Sequence, residues 1–119
     1  MKVWYITLMK LKNKFFVIFF LLIFTSAFAS ENLFNSAQSL YEKKEYEKSK
    51  FLFQRNLVFN PKDAKSYLYL AKIYEIEENE KETEKNLNTT LLLEPNNEEA
   101  MYMIIAVSYT HLRAHETEA

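Results

Sequence analysis

The residues best spaced for chemistry in this 119-residue chain are two histidines and several paired carboxylates. His111 and His115 are four positions apart, so on a helix both imidazoles would share one face, as in zinc sites. Glu80 and Glu84 have the same spacing and could serve acid–base chemistry or bind Ca²⁺. Charged residues surround these acids in the sequence, so we interpret them as part of a solvated helix surface.

The histidines lie in a segment that we predict to be foreign to the protein. Residues 107–117, Val-Ser-Tyr-Thr-His-Leu-Arg-Ala-His-Glu-Thr, resemble one translated frame of a common transposon-based sequencing adaptor, with all eleven residues matching. We therefore expect residues 107–119 to be a non-native tail and the natural protein to continue past Ala106. The remaining sequence contains no His, the commonest general base and metal ligand.

The composition excludes several further classes of site. The chain has no Cys, which excludes disulfides, thiolate nucleophiles and Cys-bound metals. It has no Gly, which excludes the glycine-dependent phosphate loops, dinucleotide fingerprints and the G-x-S-x-G elbow. Residues 30–106 carry 14 acidic and 10 basic side chains, a balance that argues against nucleic-acid binding. We expect no enzyme, cofactor, metal site or small-molecule substrate here.

The amino-terminal residues 1–29 have the pattern of a secretory signal peptide. Lysines precede an uncharged apolar run at 15–24, and Ala27-Phe28-Ala29 supplies the small residues that a signal peptidase accepts. We predict cleavage between Ala29 and Ser30, and export to the periplasm or beyond in an AT-rich bacterium. An uncleaved membrane anchor is the alternative, although the apolar stretch is shorter than the roughly 20 residues that span a bilayer.

Apolar residues recur at helical spacing through residues 30–106. The pattern predicts helices over about 31–43, 46–59, 63–76 and 79–93, with another from about 98. Asp63 and Asn97, each two residues after a proline, are the expected N-caps. The prolines, Pro61 and Pro95, are 34 residues apart, which is the period of a helix–turn–helix repeat.

At this period the chain resembles the tetratricopeptide-repeat family. The matching positions are Tyr67, Ala71 and Tyr74 in one first helix, Tyr46, Ser49 and Phe53 in one second helix, and the two terminal prolines. The resemblance implies an all-α solenoid with repeats at 30–63 and 64–97 and a partial repeat at 98–106. Residues 101–106 parallel 66–71, which suggests the start of the third repeat. The family's frequent glycines are absent, so the turns at 43–45 and 77–79 must form without them.

The resemblance also implies a concave groove that binds protein or peptide partners. Projecting the family's usual groove positions onto this sequence gives seven residues: Phe34, Gln38, Tyr41, Lys65, Leu68, Lys72 and Glu75. The Lys and Asn residues with which the family clamps carboxyl-terminal peptides are not matched, so the ligand is not specified. Tyrosines at 41, 67, 69, 74 and 102 could also form a ring-stacking site, but at helical spacing we interpret them as packing.

These observations predict an exported scaffold that mediates protein–protein interaction and has no catalysis of its own. One alternative is that the repeats are the docking region of a larger enzyme or sensor. Another is a membrane-anchored assembly factor, in which case the apolar segment at 1–29 is retained. In every case we expect a membrane to be contacted only through that segment. Because stacked repeats bury each other's apolar faces, we also expect so short an array to be marginally stable.

Overall fold

The computed structural model describes the backbone of residues 2–117 and the side chains of residues 3–21 and 32–116. It contains five helices, α1 Lys2–Glu42, α2 Tyr46–Phe59, α3 Ala64–Ile76, α4 Glu80–Leu93 and α5 Glu98–Thr117, and no strand in the part described. The all-α prediction is confirmed, and α2 to α4 agree with the predicted bounds to within one residue. Helix α1 begins much earlier than predicted, because the apolar amino-terminal segment is itself helical.

The chain divides into two compact units, residues 1–32 and 33–119. In the first unit every described side chain from Val3 to Leu21 is exposed, including residues 15–21 of the apolar run. No helix in the described part of the chain has both the length and the apolarity needed to cross a membrane. The predicted cleavage pair, Ala29 and Ser30, lies outside the described side chains, and its cleavage stays a prediction.

The second unit buries equivalent positions of successive repeats. Four pairs of residues, each 34 positions apart, are at most 1% exposed: Ala37 and Ala71, Ser49 and Thr83, Phe53 and Leu87, Asn56 and Thr90. Two core clusters result. The first joins α1, α2 and α3 around Phe53, and the second joins α3, α4 and α5 around Leu87. The 34-residue period is therefore a period of packing as well as of sequence.

Both turns within a repeat form without glycine by placing a charged residue in the left-handed region. Lys44 has φ 63° and Glu78 has φ 58°. After α1 the N–H of Glu45 donates to the carbonyl of Leu40 at 2.9 Å, and the N–H of Lys44 donates to that of Tyr41 at 2.9 Å. The same two bonds recur after α3, from residue 79 to 74 and from 78 to 75. This is the Schellman arrangement, in which glycine is the usual left-handed residue.

One predicted N-cap is confirmed and the other acts differently. The Oδ1 atom of Asn97 accepts a hydrogen bond from the N–H of Ala100 at 2.9 Å, so Asn97 caps α5. Asp63 occupies the N-cap position of α3 but its side chain caps no backbone N–H. Its carboxylate instead accepts bonds from Ser66 Oγ at 2.6 Å and Asn56 Nδ2 at 2.9 Å. Asp63 therefore ties the end of α2 to the start of α3.

The start of α5 corrects one detail of the predicted third repeat. The N-cap positions of α3 and α5, Asp63 and Asn97, are 34 residues apart, and Ala100 is fully buried at the position equivalent to buried Ser66. The parallel between 101–106 and 66–71, which assumes a spacing of 35, is thus one residue out of register. Beyond Ala106 the helix continues to Thr117, with Val107 packed against the second core cluster. The origin of residues 107–119 stays a prediction.

Candidate partner-binding surface

Hydrogen bonds between buried polar groups fix the helices that carry the predicted groove residues. Ser49 Oγ on α2 donates to the carbonyl of Ala37 on α1 at 2.7 Å, away from solvent. At the next junction, Asn56 Nδ2 on α2 donates to Ser66 Oγ on α3 at 2.9 Å. Such bonds specify one arrangement because a displaced helix would leave buried polar groups without partners. The Oδ1 atom of Asn56 is buried with no protein partner.

The ring of Tyr69 lies at the centre of the surface that these helices form. It is stacked on Phe53 with 4.9 Å between ring centroids and an interplanar angle of 14°. Phe34 and Tyr41 of α1 meet it edge to face at 5.9 Å and 5.2 Å. Edge-to-face contacts at such distances stabilise aromatic pairs beyond the effect of burial alone. Tyr41, Phe34 and Tyr69 remain partly accessible, so the cluster is both core and surface.

A cation borders the aromatic cluster. Lys72 Nζ lies 4.9 Å from the centroid of the Tyr69 ring, within the range of a cation–π contact. The same nitrogen is 2.5 Å from Glu99 Oε1 of α5, so the ion pair joins two successive repeats. The Lys72 side chain is mostly covered, whereas that of Glu99 is mostly exposed. We call the residues Tyr41, Tyr69, Lys72 and Glu99 the tyrosine–lysine face.

Within this face, the pKa of the Tyr41 hydroxyl is shifted by its surroundings. Burial raises the pKa of the Tyr41 hydroxyl above its ordinary value of 10.0, because the phenolate is poorly solvated there. The positive charge of Lys72 opposes this shift, and neighbouring groups, among them Tyr46 and Glu99, add to it. Tyr41 is therefore neutral at physiological pH and offers a partner an uncharged hydroxyl that can donate or accept a hydrogen bond.

The seven predicted groove residues divide into three groups. Phe34, Gln38, Tyr41 and Lys72 are half-buried, and the contacts of the tyrosine–lysine face bring three of them, Phe34, Tyr41 and Lys72, to Tyr69. Lys65 and Glu75 are exposed.

Leu68 requires a correction. It is only 6% exposed and packs in the second core cluster, so it supports the surface from beneath instead of contributing to it.

Two members of the face were missed by sequence reasoning. The sequence pattern predicts a packing role for Tyr69 and no role for Glu99. The family's groove position falls on Leu68, one residue before Tyr69. Successive residues of a helix are rotated by about 100°, so Tyr69 faces a different side from the predicted position. Glu99 belongs to the next repeat, so its contact with Lys72 depends on helix packing. The sequence alone does not indicate this contact.

The other candidates for chemistry do not converge on a site. His111 and His115 pack ring to ring at 5.2 Å, and His111 Nδ1 lies 3.3 Å from Glu80 Oε2 at an exposed position. Across the described residues no three His, Cys, Asp or Glu side chains are grouped so that they could hold a metal ion. A cleft between the start of α4 and the second half of α5 is lined on one side by Val107, Ser108, His111 and Leu112, which belong to the predicted tail.

Comparison with known proteins supports the fold. No family model matches the chain, and no curated protein matches it. A solved structure titled CopN-Scc3 complex is similar, with 23% sequence identity and a TM-score of 0.65 over 73% of this chain. The chain spans about half of that neighbour, 51% of its length. At this identity the likeness concerns the fold alone, and it confirms an all-α helical-repeat solenoid.

Proposed function

We propose that this chain is an exported scaffold of the tetratricopeptide-repeat type, which binds a protein or peptide through the tyrosine–lysine face. The observation that carries the proposal is that three successive repeats contribute side chains to one partly accessible surface of rings and charges. A repeat solenoid commonly presents such a surface to partner proteins. The similar solved structure is itself titled as a complex, which is compatible with an interaction role.

The chemistry of the face suits a peptide ligand. Rings that are already packed on each other lose little conformational entropy on binding and supply apolar contact area. The Lys72–Glu99 pair offers both signs of charge at its edge, where a peptide's backbone or polar side chains can form hydrogen bonds.

Selection of ligands followed by substitution tests the binding role. Peptides would be selected from a random displayed library on the full chain and their dissociation constants measured by fluorescence anisotropy. Lys72→Ala and Tyr41→Ala should each weaken binding at least tenfold, about 1.4 kcal/mol. Lys81→Ala, which removes an exposed cation from α4, is the matched control and should change little. Selected peptides that bind all three variants equally would place the binding surface elsewhere.

Export requires a separate measurement. The full coding sequence would be expressed in a bacterium, and the mature protein's amino terminus determined by mass spectrometry of the periplasmic and membrane fractions. A mature chain that begins at Ser30 supports the exported scaffold. A chain that keeps residues 1–29 and stays with the membrane fraction supports the membrane-anchored alternative instead.

A further inference from the structure

The outward side of α2 carries a stripe in which cations alternate with apolar side chains. Five exposed residues spaced three or four positions apart form it: Lys48, Phe51, Arg55 and Val58 on α2, and Lys62 in the turn that follows α2. Lys48 is ion-paired with Glu45 at 2.5 Å, and the exposed Glu47 lies beside it in the sequence. Phe51 is 61% and Val58 78% exposed. Phe59, beside the stripe, is also exposed. We call these five residues the α2 stripe.

The repeat fold does not require this alternation of cations and apolar side chains, because the equivalent positions of the next repeat do not show it. Those positions, 34 residues later, are Glu82, Lys85, Thr89, Leu92 and Asn96. They carry one acid and one base, and Leu92 is their only large apolar residue. Val58 and Leu92 are nearly identical in place and exposure, at 78% and 81%. The apolar position is thus shared by the two repeats, whereas the first repeat has three cations at the neighbouring positions and the second has only Lys85.

The charge of the surrounding sequence follows the same division. Residues 33–65, from the end of α1 to the start of α3, contain seven Lys or Arg and four Asp or Glu. Residues 66–106 contain three Lys and nine Glu. The net charges are therefore +3 and −6, and the positive end is the one that exposes Phe51 and Val58.

We propose that the α2 stripe docks the protein onto an anionic lipid bilayer. Cations on such a helix face interact with acidic headgroups, while apolar side chains between them enter the boundary of the acyl region. Long Lys and Arg side chains can hold their charges at the headgroups while their stems lie along apolar surface. This contact departs from the sequence-based expectation that only residues 1–29 meet a membrane, and it is additional to the tyrosine–lysine face.

A bilayer fits the stripe better than other anionic partners do. Four of the five stripe residues lie on the exposed side of α2, and a bilayer accepts one exposed helix face without needing a groove. A nucleic acid would engage the cations but would provide no apolar medium for Val58 and Phe51. An acidic protein could engage both kinds of side chain, and the experiment distinguishes it by using vesicles that contain lipid only.

The absence of cysteine makes a local test possible in the full chain. Val58→Cys and Leu92→Cys variants would each be labelled with an environment-sensitive fluorophore and mixed with vesicles of phosphatidylcholine, alone or with phosphatidylglycerol. A probe at a chosen residue reports the medium at that residue, so binding through the apolar segment at 1–29 does not obscure the result. With anionic vesicles, the probe at 58 should brighten severalfold and shift to the blue, and the probe at 92 should stay aqueous.

Charge variants complete the test. Combining Lys48→Gln, Arg55→Gln and Lys62→Gln with the label at 58 should reduce the response at least fivefold, with unchanged circular dichroism. Molar salt should have the same effect, because it screens exposed charges. The proposal is overturned if both probes respond equally, if neutral vesicles suffice, or if the probe at 58 stays aqueous. A response that appears without vesicles as protein concentration rises would also overturn it, since a second copy would then cover the stripe.

Discussion

Replacing Lys44 or Glu78 with glycine should stabilise the helical-repeat unit. Both residues hold left-handed backbone angles, with φ of 63° and 58°, in otherwise regular Schellman turns. A side chain with a Cβ atom crowds the following carbonyl in this conformation, and glycine has no such atom. Nothing else in the hydrogen-bonding of either turn depends on the side chain, since each turn is closed by backbone bonds.

The expected gain follows from two opposing terms. The left-handed conformation costs an ordinary residue about 1–2 kcal/mol. Glycine, however, loses more backbone freedom on folding, a cost of about 0.5–1 kcal/mol. The net gain should be about 0.5–1 kcal/mol at each site. The two sites lie in separate turns with no shared partner, so the double variant should gain about 1–2 kcal/mol. For a unit of this size each kcal/mol raises Tm by about 4–8 °C.

Thermal unfolding followed by circular dichroism measures these differences. Lys44→Ala removes the charge but keeps Cβ, so it should leave Tm nearly unchanged and serves as the first control. Lys43→Gly places glycine at a neighbouring position whose φ is not positive, and it should lower Tm. If Lys44→Gly lowered Tm as much as Lys43→Gly does, the left-handed turn would not describe the protein in solution.

Three further outcomes follow from named contacts. Ser49→Ala, which removes the 2.7 Å bond to the carbonyl of Ala37, should cost about 0.5–1.5 kcal/mol in urea unfolding; an unchanged midpoint would mean that the bond is not formed. Because burial raises the pKa of Tyr41, its contribution to stability is complete below pH 10.0 and is lost as pH rises through the folded-state value. Tyr41→Phe should therefore flatten part of the alkaline decline of the unfolding midpoint, and an unaltered decline would contradict the burial. The hydrogen bond with Glu77 is the main cause of the raised pKa of Lys50, so Lys50→Met should flatten the decline of stability above pH 10.5. Between about pH 7 and 9 the variant and the unsubstituted chain should show the same pH dependence, and a new dependence there would contradict this assignment.

The fold was largely predictable because its determinants are local in sequence. Apolar spacing gave the helices, and Pro61 and Pro95 gave the 34-residue period, since proline ends one helix and precedes the next. The left-handed conformations of Lys44 and Glu78 were not predicted. Glycine normally marks such turns, and here the backbone bonds of two packed helices impose the conformation on residues that disfavour it locally.

The candidate surface was less predictable, because it depends on contacts between helices. Family positions identified Phe34, Tyr41 and Lys72, which the structure brings to one ring. They also selected Leu68, which is buried in the second core cluster with residues of α4 and α5. No pattern within α3 indicates that Tyr69 stacks on a ring from α2, as this requires the distance and tilt between the two helices.

Comparison between repeats separates what the fold requires from what it leaves free. Phe53 and Leu87, or Ser49 and Thr83, are buried alike, so these positions are constrained by packing in both repeats. Arg55, on the α2 stripe, has the uncharged Thr89 as its equivalent, and the fold accommodates either. Exposed side chains that differ between equivalent positions of the two repeats are therefore not determined by the shared fold. Such differences are where binding properties of this chain should be sought, and the paired probes at 58 and 92 apply that principle directly.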